Sequence, residues 1–438
     1  MNVNEEKYDI VIKDGTYLNS QLEISHSDFI GIKNGKISYI GDANCKGDTV
    51  LNGDGRLYMC GMVDGHTHTS QQLLRGRLLD EKPVIWKRIN VPFEAQLNEE
   101  TSTLSAELCA LEMIKNGTTG FLDAGGKYVP EFAKVYKKSG LRGRLSYMTN
   151  DNPAMPSALR IEVKEGLKRQ IELYEDLKGS LLEGVFSVTA LTAASEEMIR
   201  TIFSYAKENN ISAQVHMNEY ASEVFDFIEK YSLRPIEWLA KENLISEKFT
   251  AAHGIFLSQE EMNIIKEKNI KVMHCPFSNC GKGIPPTPQL LAQGTKVGFG
   301  TDGSAHGGVD IFKEIRLFRG VMNSHHGILS GDPQIMPAKT LLKMATHGGS
   351  AVLDVEGLGL FSVGSPADII SIKTDAPHIL PTQNLVNSLV ESVSGSDVQD
   401  SIINGRLVMK DRIVLTLDEE KIMEKAKKYI ISGEKIHL

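Results

Sequence analysis

The chain has 438 residues, with 48 Lys and Arg against 56 Asp and Glu for a formal net charge of −8, and is 41% hydrophobic and 24% charged. These proportions describe a globular protein with a sizeable core and exclude disordered and collagen-like classes. The acidic balance argues against a nucleic-acid surface, and no run of about 18 consecutive apolar residues supports a membrane span.

The opening, MNVNEEKYDIVIKDG, is acidic where an export signal is basic, so a cytoplasmic location is expected. Residues 8–58 alternate in short apolar runs, YDIVIKDG, FIGIKNGKISYIG and TVLNGDGRLYM, broken by Asp-Gly and Asn-Gly turns. That is the pattern of an antiparallel β-unit. From about residue 60 to 360 β-rich runs alternate with longer helical ones, the signature of parallel βα units. The β-rich runs are MVDGHTH, GTTGFLDAG, LRGRLSYMT, EGVFSVTAL, ISAQVHMNE, FTAAHGIFL, IKVMHCPFS and TKVGFGTDG, and no glycine-rich nucleotide fingerprint follows any of them. The expectation is an α/β fold, a (β/α)8 TIM barrel catalytic domain over residues 59–360. ADIISIK and QDSIINGRLVMKDRIVL then pair with the N-terminal strands, making a small β-sandwich domain from residues 1–58 and 361–438, with LDEEKIMEKAKKYIISGEKI as a surface helix. The five cysteines, Cys45, Cys60, Cys109, Cys275 and Cys280, are odd in number and scattered, which reads as reduced thiols. Cys275 and Cys280 fit no common zinc spacing.

The histidines carry the chemistry. His66 and His68 end the first β-rich run, His216 the fifth, His253 the sixth and His274 the seventh, while Asp302 ends the eighth. Catalytic groups of TIM barrels come from the C-terminal strand ends, so six distant side chains are expected at one mouth. Period-two spacing puts His66 and His68 on one side of their strand, where both reach one ion. Glu219, three residues past His216, lies where the chain leaves the strand and is placed to work as a base beside a metal.

These motifs, GMVDGHTHTSQQLLRG, HMNEYASEV, AAHGIFLS, MHCPFSN and GFGTDGS in that order, resemble the amidohydrolase superfamily. The resemblance is to the branch containing cytosine deaminase, adenosylhomocysteine/methylthioadenosine deaminase and the chlorohydrolase-like triazine hydrolases, and it covers nearly the whole chain. It implies His66, His68, His216 and Asp302 as metal ligands and Glu219 with His253 as the proton-transfer pair. Asp302 would help deliver a proton to departing ammonia, with His274 behind the ligands or against the substrate. Binuclear relatives bridge two ions with a carboxylated Lys or a Glu ending strand four. This chain has Val188-Thr189-Ala190-Leu191-Thr192 there, so one divalent ion is expected, zinc first and iron as the alternative.

The implied function is a metal-dependent aminohydrolase releasing ammonia from an amino-substituted heteroaromatic ring of purine, pterin, pyrimidine or triazine type. Hydrolysis of another C–N or C–X bond on the same scaffold is the alternative, and a non-catalytic homologue is a third reading. A small heterocyclic substrate and a homodimer are the implied partners. Gln71, Arg75, Trp86 and His306 are the expected substrate contacts. Adenosine-type relatives carry Pro-His-Ala-Pro-Tyr after strand four and Ser-Asn-Asn after the strand-eight Asp. Here Thr189-Ala190-Leu191-Thr192-Ala193 and Ser304-Ala305-His306-Gly307-Gly308 set the pocket rim apart.

Overall fold

Period-two alternation in the N-terminal segment produces strands: β1 (Lys7–Leu18), β2 (Ile24–Lys33), β3 (Lys36–Gly41), β4 (Lys46–Asn52) and β5 (Arg56–Cys60). The structure, a computed structural model, describes residues 7–82 and 84–429. Asn34 and Gly35 turn β2 into β3 with φ of 51° and 75°, the left-handed pair that a two-residue hairpin needs. The central strands are β6 (Met62–His68), β7 (Thr118–Asp123), β8 (Arg142–Leu145), β9 (Leu182–Gly184) and β10 (Phe186–Ser187). They continue as β11 (Ala213–Met217), β12 (Phe249–His253), β13 (Lys271–His274), β14 (Val297–Phe299) and β15 (Asp302–Gly303). The chain returns to the first texture in β16 (Ile369–Lys373), β17 (Val398–Ile403), β18 (Arg406–Lys410) and β19 (Ile413–Val414). A second Asn-Gly pair, Asn404 and Gly405 at φ 49° and 73°, turns β17 into β18.

The terminal strands form one nine-stranded sheet in the order β19-β18-β17-β16-β5-β1-β2-β3, with β4 beside β1. Antiparallel pairing of β5 with β16, Met59 opposite Ile370, joins the two ends of the chain. Ile12, Ile30, Ile32, Tyr58 and Ile369 pack there with Phe361, each such side chain contributing about 1.5–3 kcal/mol of burial. The pairing gives one continuous sheet where a sandwich of two was expected.

In the central region β15-β6-β7-β8-β9 and β10-β11-β12-β13-β14 are two five-stranded sheets, and every neighbour pair in them is parallel. All residues of β6, β7, β12 and β13 are buried, as in parallel strands covered on both faces. The eight expected runs all become strands, two of them split. At Val185 the chain changes partners: its amide donates to Leu145 O and the next amide, of Phe186, to Ser212 O, each at 2.9 Å. At Gly300-Thr301 the change recurs, Gly300 N donating to His274 O at 2.7 Å before Asp302 pairs with Thr67. Hydrogen bonding thus yields two sheets sharing these seams, where one closed ring was expected.

Helices follow the strands with capping chemistry visible in the sequence: Ser258 and Glu261 form a reciprocal capping box at Gln259–Glu267, and Ser195 caps Glu196–Glu208. The expected C-terminal helix runs over Glu419–Lys428 from its cap Asp418, and its expected continuation past residue 429 lies outside the described residues. Among the described residues no helix is long and apolar enough to cross a membrane.

The terminal sheet is tied to the central one by Arg142, which opens β8. Its Nε and Nη2 donate to the two carboxylate oxygens of Asp368 at 3.0 and 3.1 Å, and both residues are buried. Asp368 also accepts from Asn404 N at 2.7 Å. Replacing Arg142 with Met leaves a buried carboxylate without its cation. Stability is expected to fall by about 3–5 kcal/mol, read as a lower denaturant midpoint with unchanged far-ultraviolet dichroism; an unchanged midpoint contradicts the assignment.

Candidate active site

The C-terminal ends of β6, β11 and β12, with β15, deliver imidazoles and a carboxylate to one place. His68 Nε2 lies 3.1 Å from His216 Nε2 and 3.1 Å from Asp302 Oδ1, and His66 Nε2 lies 3.8 Å from the same Asp302 oxygen. His66, His216, His253 and Asp302 each present a ligand atom within 4.8 Å of one another. Two atoms each about 2.1 Å from a tetrahedral cation stand about 3.4 Å apart, which these separations bracket. Both ring nitrogens of His66 and Nε2 of His253 are buried without a hydrogen-bond partner. Each such atom costs roughly 1–3 kcal/mol, and a divalent cation takes up one lone pair from each imidazole that reaches it. The donor set therefore fits a metal.

The surrounding backbone aims these rings. His216 Nδ1 donates to Thr189 O at 2.7 Å and His253 Nδ1 to Asn279 Oδ1 at 3.0 Å, which leaves each Nε2 facing the centre. Asp64 accepts from His66 N, from Thr301 N and from the Thr301 hydroxyl, tying the end of β6 to the β14-β15 seam. Asn218, His253 and Asp302 adopt φ of 49°, 68° and 57°. A left-handed backbone at a non-glycine residue is strained and clusters at functional sites.

Electrostatics sort the groups. Burial, then the neighbouring imidazoles, push His66 well below the usual histidine value, and burial with His68 and His253 brings His216 to about 4, so both are neutral at pH 7. Burial lowers His68 too, but its hydrogen bond and charge contact with Asp302 outweigh that and raise it to about 9. For Glu219 burial raises the value, and the opposing fields of His253, Lys282 and His216 bring it down to about 2. Its Oε1 is 3.9 Å from His253 Nε2 and 2.6 Å from Lys282 Nζ.

A cavity of about 770 Å³ opens on this centre, bounded by His68, His216, Glu219 and Asp302. Of the expected substrate contacts, Gln71 lines it with its amide donating to Glu94 at 3.0 Å and accepting from Asn90 at 3.3 Å. Trp86 forms part of the wall while packing with Val91 and Met148, and His306 also lines it. Arg75 also lines it, with its guanidinium paired with Glu112 and donating to Gln72 at 2.8 Å. His274 does not line the cavity. Its Nδ1 donates to His253 O at 2.7 Å and its Nε2 meets the Thr287 hydroxyl at 2.9 Å, which places it behind the site.

Lys282 was not foreseen. It sits between Gly281 and Gly283 in the loop after β13, eight residues beyond His274, and the available signal was a lysine flanked by glycines at the same mouth as the histidines. Ser278, Asn279 and Thr189 were also missed; Thr189 acts through its backbone carbonyl, which no side-chain pattern reports.

Residues 57–408 match the model of the amidohydrolase family. The chain is 32% identical over 390 residues to 5-methylthioadenosine/S-adenosylhomocysteine deaminase of Haloquadratum walsbyi, covering 88% of this chain and 86% of that one. It is 34% identical over 436 residues to 5'-deoxyadenosine deaminase of Methanobrevibacter smithii, covering 96% and 97%. An adenosine deaminase from Xanthomonas campestris, solved with bound zinc, superposes with a TM-score of 0.90 at 24% identity, covering 97% of this chain and 98% of that one. With the family matched across most of its length and the histidine and aspartate cluster at the strand ends, the chain belongs to the amidohydrolase family.

Proposed function

We propose that this protein is a metal-dependent aminohydrolase that releases ammonia from an amino-substituted heteroaromatic ring. The observation that carries the reading is the Glu219 carboxylate beside the convergent imidazoles and Asp302 in a cavity of about 770 Å³, large enough for a purine-sized ligand. The relatives named as deaminases of adenosine derivatives favour a purine within the set of purine, pterin, pyrimidine and triazine rings. In this reading His66, His68, His216 and Asp302 hold one divalent cation, zinc ahead of iron, in the central domain of residues 59–360 inserted between residues 1–58 and 361–438. The shared seams at Val185 and Gly300-Thr301 support closure of the two parallel sheets into a (β/α)8 barrel.

The cation, when bound, supplies Lewis-acid activation of water at neutral pH. Glu219 takes one proton from water as its oxygen adds to the amino-bearing carbon, and returns that proton to the neighbouring ring nitrogen. His253, its Nδ1 held by Asn279, keeps Nε2 toward the reacting groups, and Asp302 with His253 passes a proton to departing ammonia. Gln71, fixed by Glu94 and Asn90, meets the polar edge of the ring, while Trp86 covers its flat face.

Glu219→Gln is expected to lower kcat by on the order of 10² to 10⁴ with metal content unchanged, measured as ammonia released from a panel of aminated purines, pterins, pyrimidines and triazines. Wild-type silence across the panel would overturn the reading. Because His68 is raised to about 9 beside Asp302, a cation entering at pH 7 must displace its proton. Metal affinity is therefore expected to rise with pH up to about 9 and to fall roughly tenfold for each unit below it. Chelator competition at several pH values reads this, and a flat profile contradicts it.

A further inference from the structure

We propose that Lys282 is a positioning residue that holds Glu219 in its working orientation and couples that orientation to Asp302. The inference rests on reading Glu219 as the group that moves the proton. Lys282 Nζ donates to Glu219 Oε1 at 2.6 Å and to Ser278 Oγ at 2.7 Å, and the Ser278 hydroxyl donates in turn to Asp302 Oδ2. The Lys282 side chain is only 12% exposed, and its ammonium lies 5.3 Å from the centre of the Tyr220 ring. A long flexible side chain is thereby fixed at its charged end on several sides.

The loop is built for this placement. Gly281 has φ 85°, which a side chain rarely adopts, and a Cβ on Gly283 would fall 2.7 Å from Ile255 and 3.0 Å from Phe256. Gly283 lets the loop lie close against the segment that follows β12, while Gly281 supplies the left-handed turn. Glu219 stands where the chain leaves β11 and has no strand of its own to fix its rotamer. Oε1, pinned by the ammonium, is also the oxygen 3.9 Å from His253 Nε2, so the lysine holds the carboxylate on the side of the imidazole cluster. Ser278 fixes the separation between this carboxylate and Asp302, so base and metal ligand move as one unit. A misplacement of about 1 Å costs roughly 10² in rate.

The test uses the metal-loaded full-length protein with Lys282→Met, Lys282→Arg and Ser278→Ala. Lys282→Met is expected to lower kcat on the order of 10- to 100-fold with KM within about threefold and with metal stoichiometry unchanged, while the melting temperature falls because buried Glu219 loses its cation. Lys282→Arg, which keeps a cationic donor, should recover part of that loss, and Ser278→Ala should show a smaller loss of the same kind. In a Glu219→Gln background Lys282→Met should cost nothing further, because residues acting as a unit are non-additive. Full additivity there, or a wild-type kcat in Lys282→Met, overturns the proposal. If Lys282→Met does not fold, Lys282→Arg and Ser278→Ala decide it by the same split between kcat and KM. Crystal structures of wild type and Lys282→Met read the claim independently of activity: a turned Glu219 carboxylate supports it and an unmoved one overturns it. If wild type releases no ammonia from the panel, the deaminase reading fails, and the crystallographic comparison alone still decides whether Lys282 sets the carboxylate.

Discussion

Lone pairs gathered where water is excluded govern this molecule. His66 keeps both ring nitrogens buried and unbonded, His253 keeps one, and His68, His216 and Asp302 crowd the same space. Neighbouring protein groups leave these atoms of His66 and His253 without a hydrogen bond. Burying such atoms opposes folding unless something else is bound. The rest of the fold must hold them in place against that cost, and the way the strands are used shows how it does so.

Strand starts and strand ends have different duties. Arg142 opens β8 and meets Asp368 just before β16, in a buried bidentate pair that joins the terminal sheet to the central one. The clustered histidines close β6, β11 and β12, and left-handed backbone appears at Asn218 and His253 there and at Asp302, which opens β15. Strain is tolerated there because the same strands are anchored by fully buried parallel pairing a few residues upstream. Asp64 shows the connection within one strand: it lies inside β6 and bonds the amide of His66 as well as Thr301 at the seam.

Much of this was legible from residue order, because the determining physics is local or periodic. His66-Thr67-His68 puts two rings on one side of a strand by the pleat alone, and the Asn-Gly pairs at 34–35 and 404–405 specify hairpins by their left-handed tolerance. Positions near strand ends were legible as positions, but what their side chains bond was not. Gln71, Arg75, Trp86 and His306 all line the cavity, but the Arg75 guanidinium is paired with Glu112, and His274 is held by Thr287 and a backbone carbonyl. Those partners lie 37 residues and 13 residues away in sequence, and no local pattern reports which of two eligible partners wins. The interruption of pairing at Val185 and at Gly300-Thr301 was hidden for a related reason: it depends on which neighbour the strand faces, not on its own residues.

Glu219 and Asp302 are two buried carboxylates held ionised, which a low-dielectric interior does not permit without compensating cations. Lys282 compensates Glu219 directly and reaches Asp302 through Ser278, and the proton on His68 compensates Asp302. The His68 proton and a divalent cation are thus alternative occupants of one electrostatic role. The ammonium of Lys282 is different, since it stays when the proton leaves. Under the proposed reading, exchanging a proton on His68 for a doubly charged ion would free that imidazole as a ligand and add one unit of positive charge beside two fixed carboxylates. A site arranged in this way is preorganised for the cation before it arrives, because the positions of Glu219 and Asp302 are set by Lys282 and Ser278, which the exchange leaves in place.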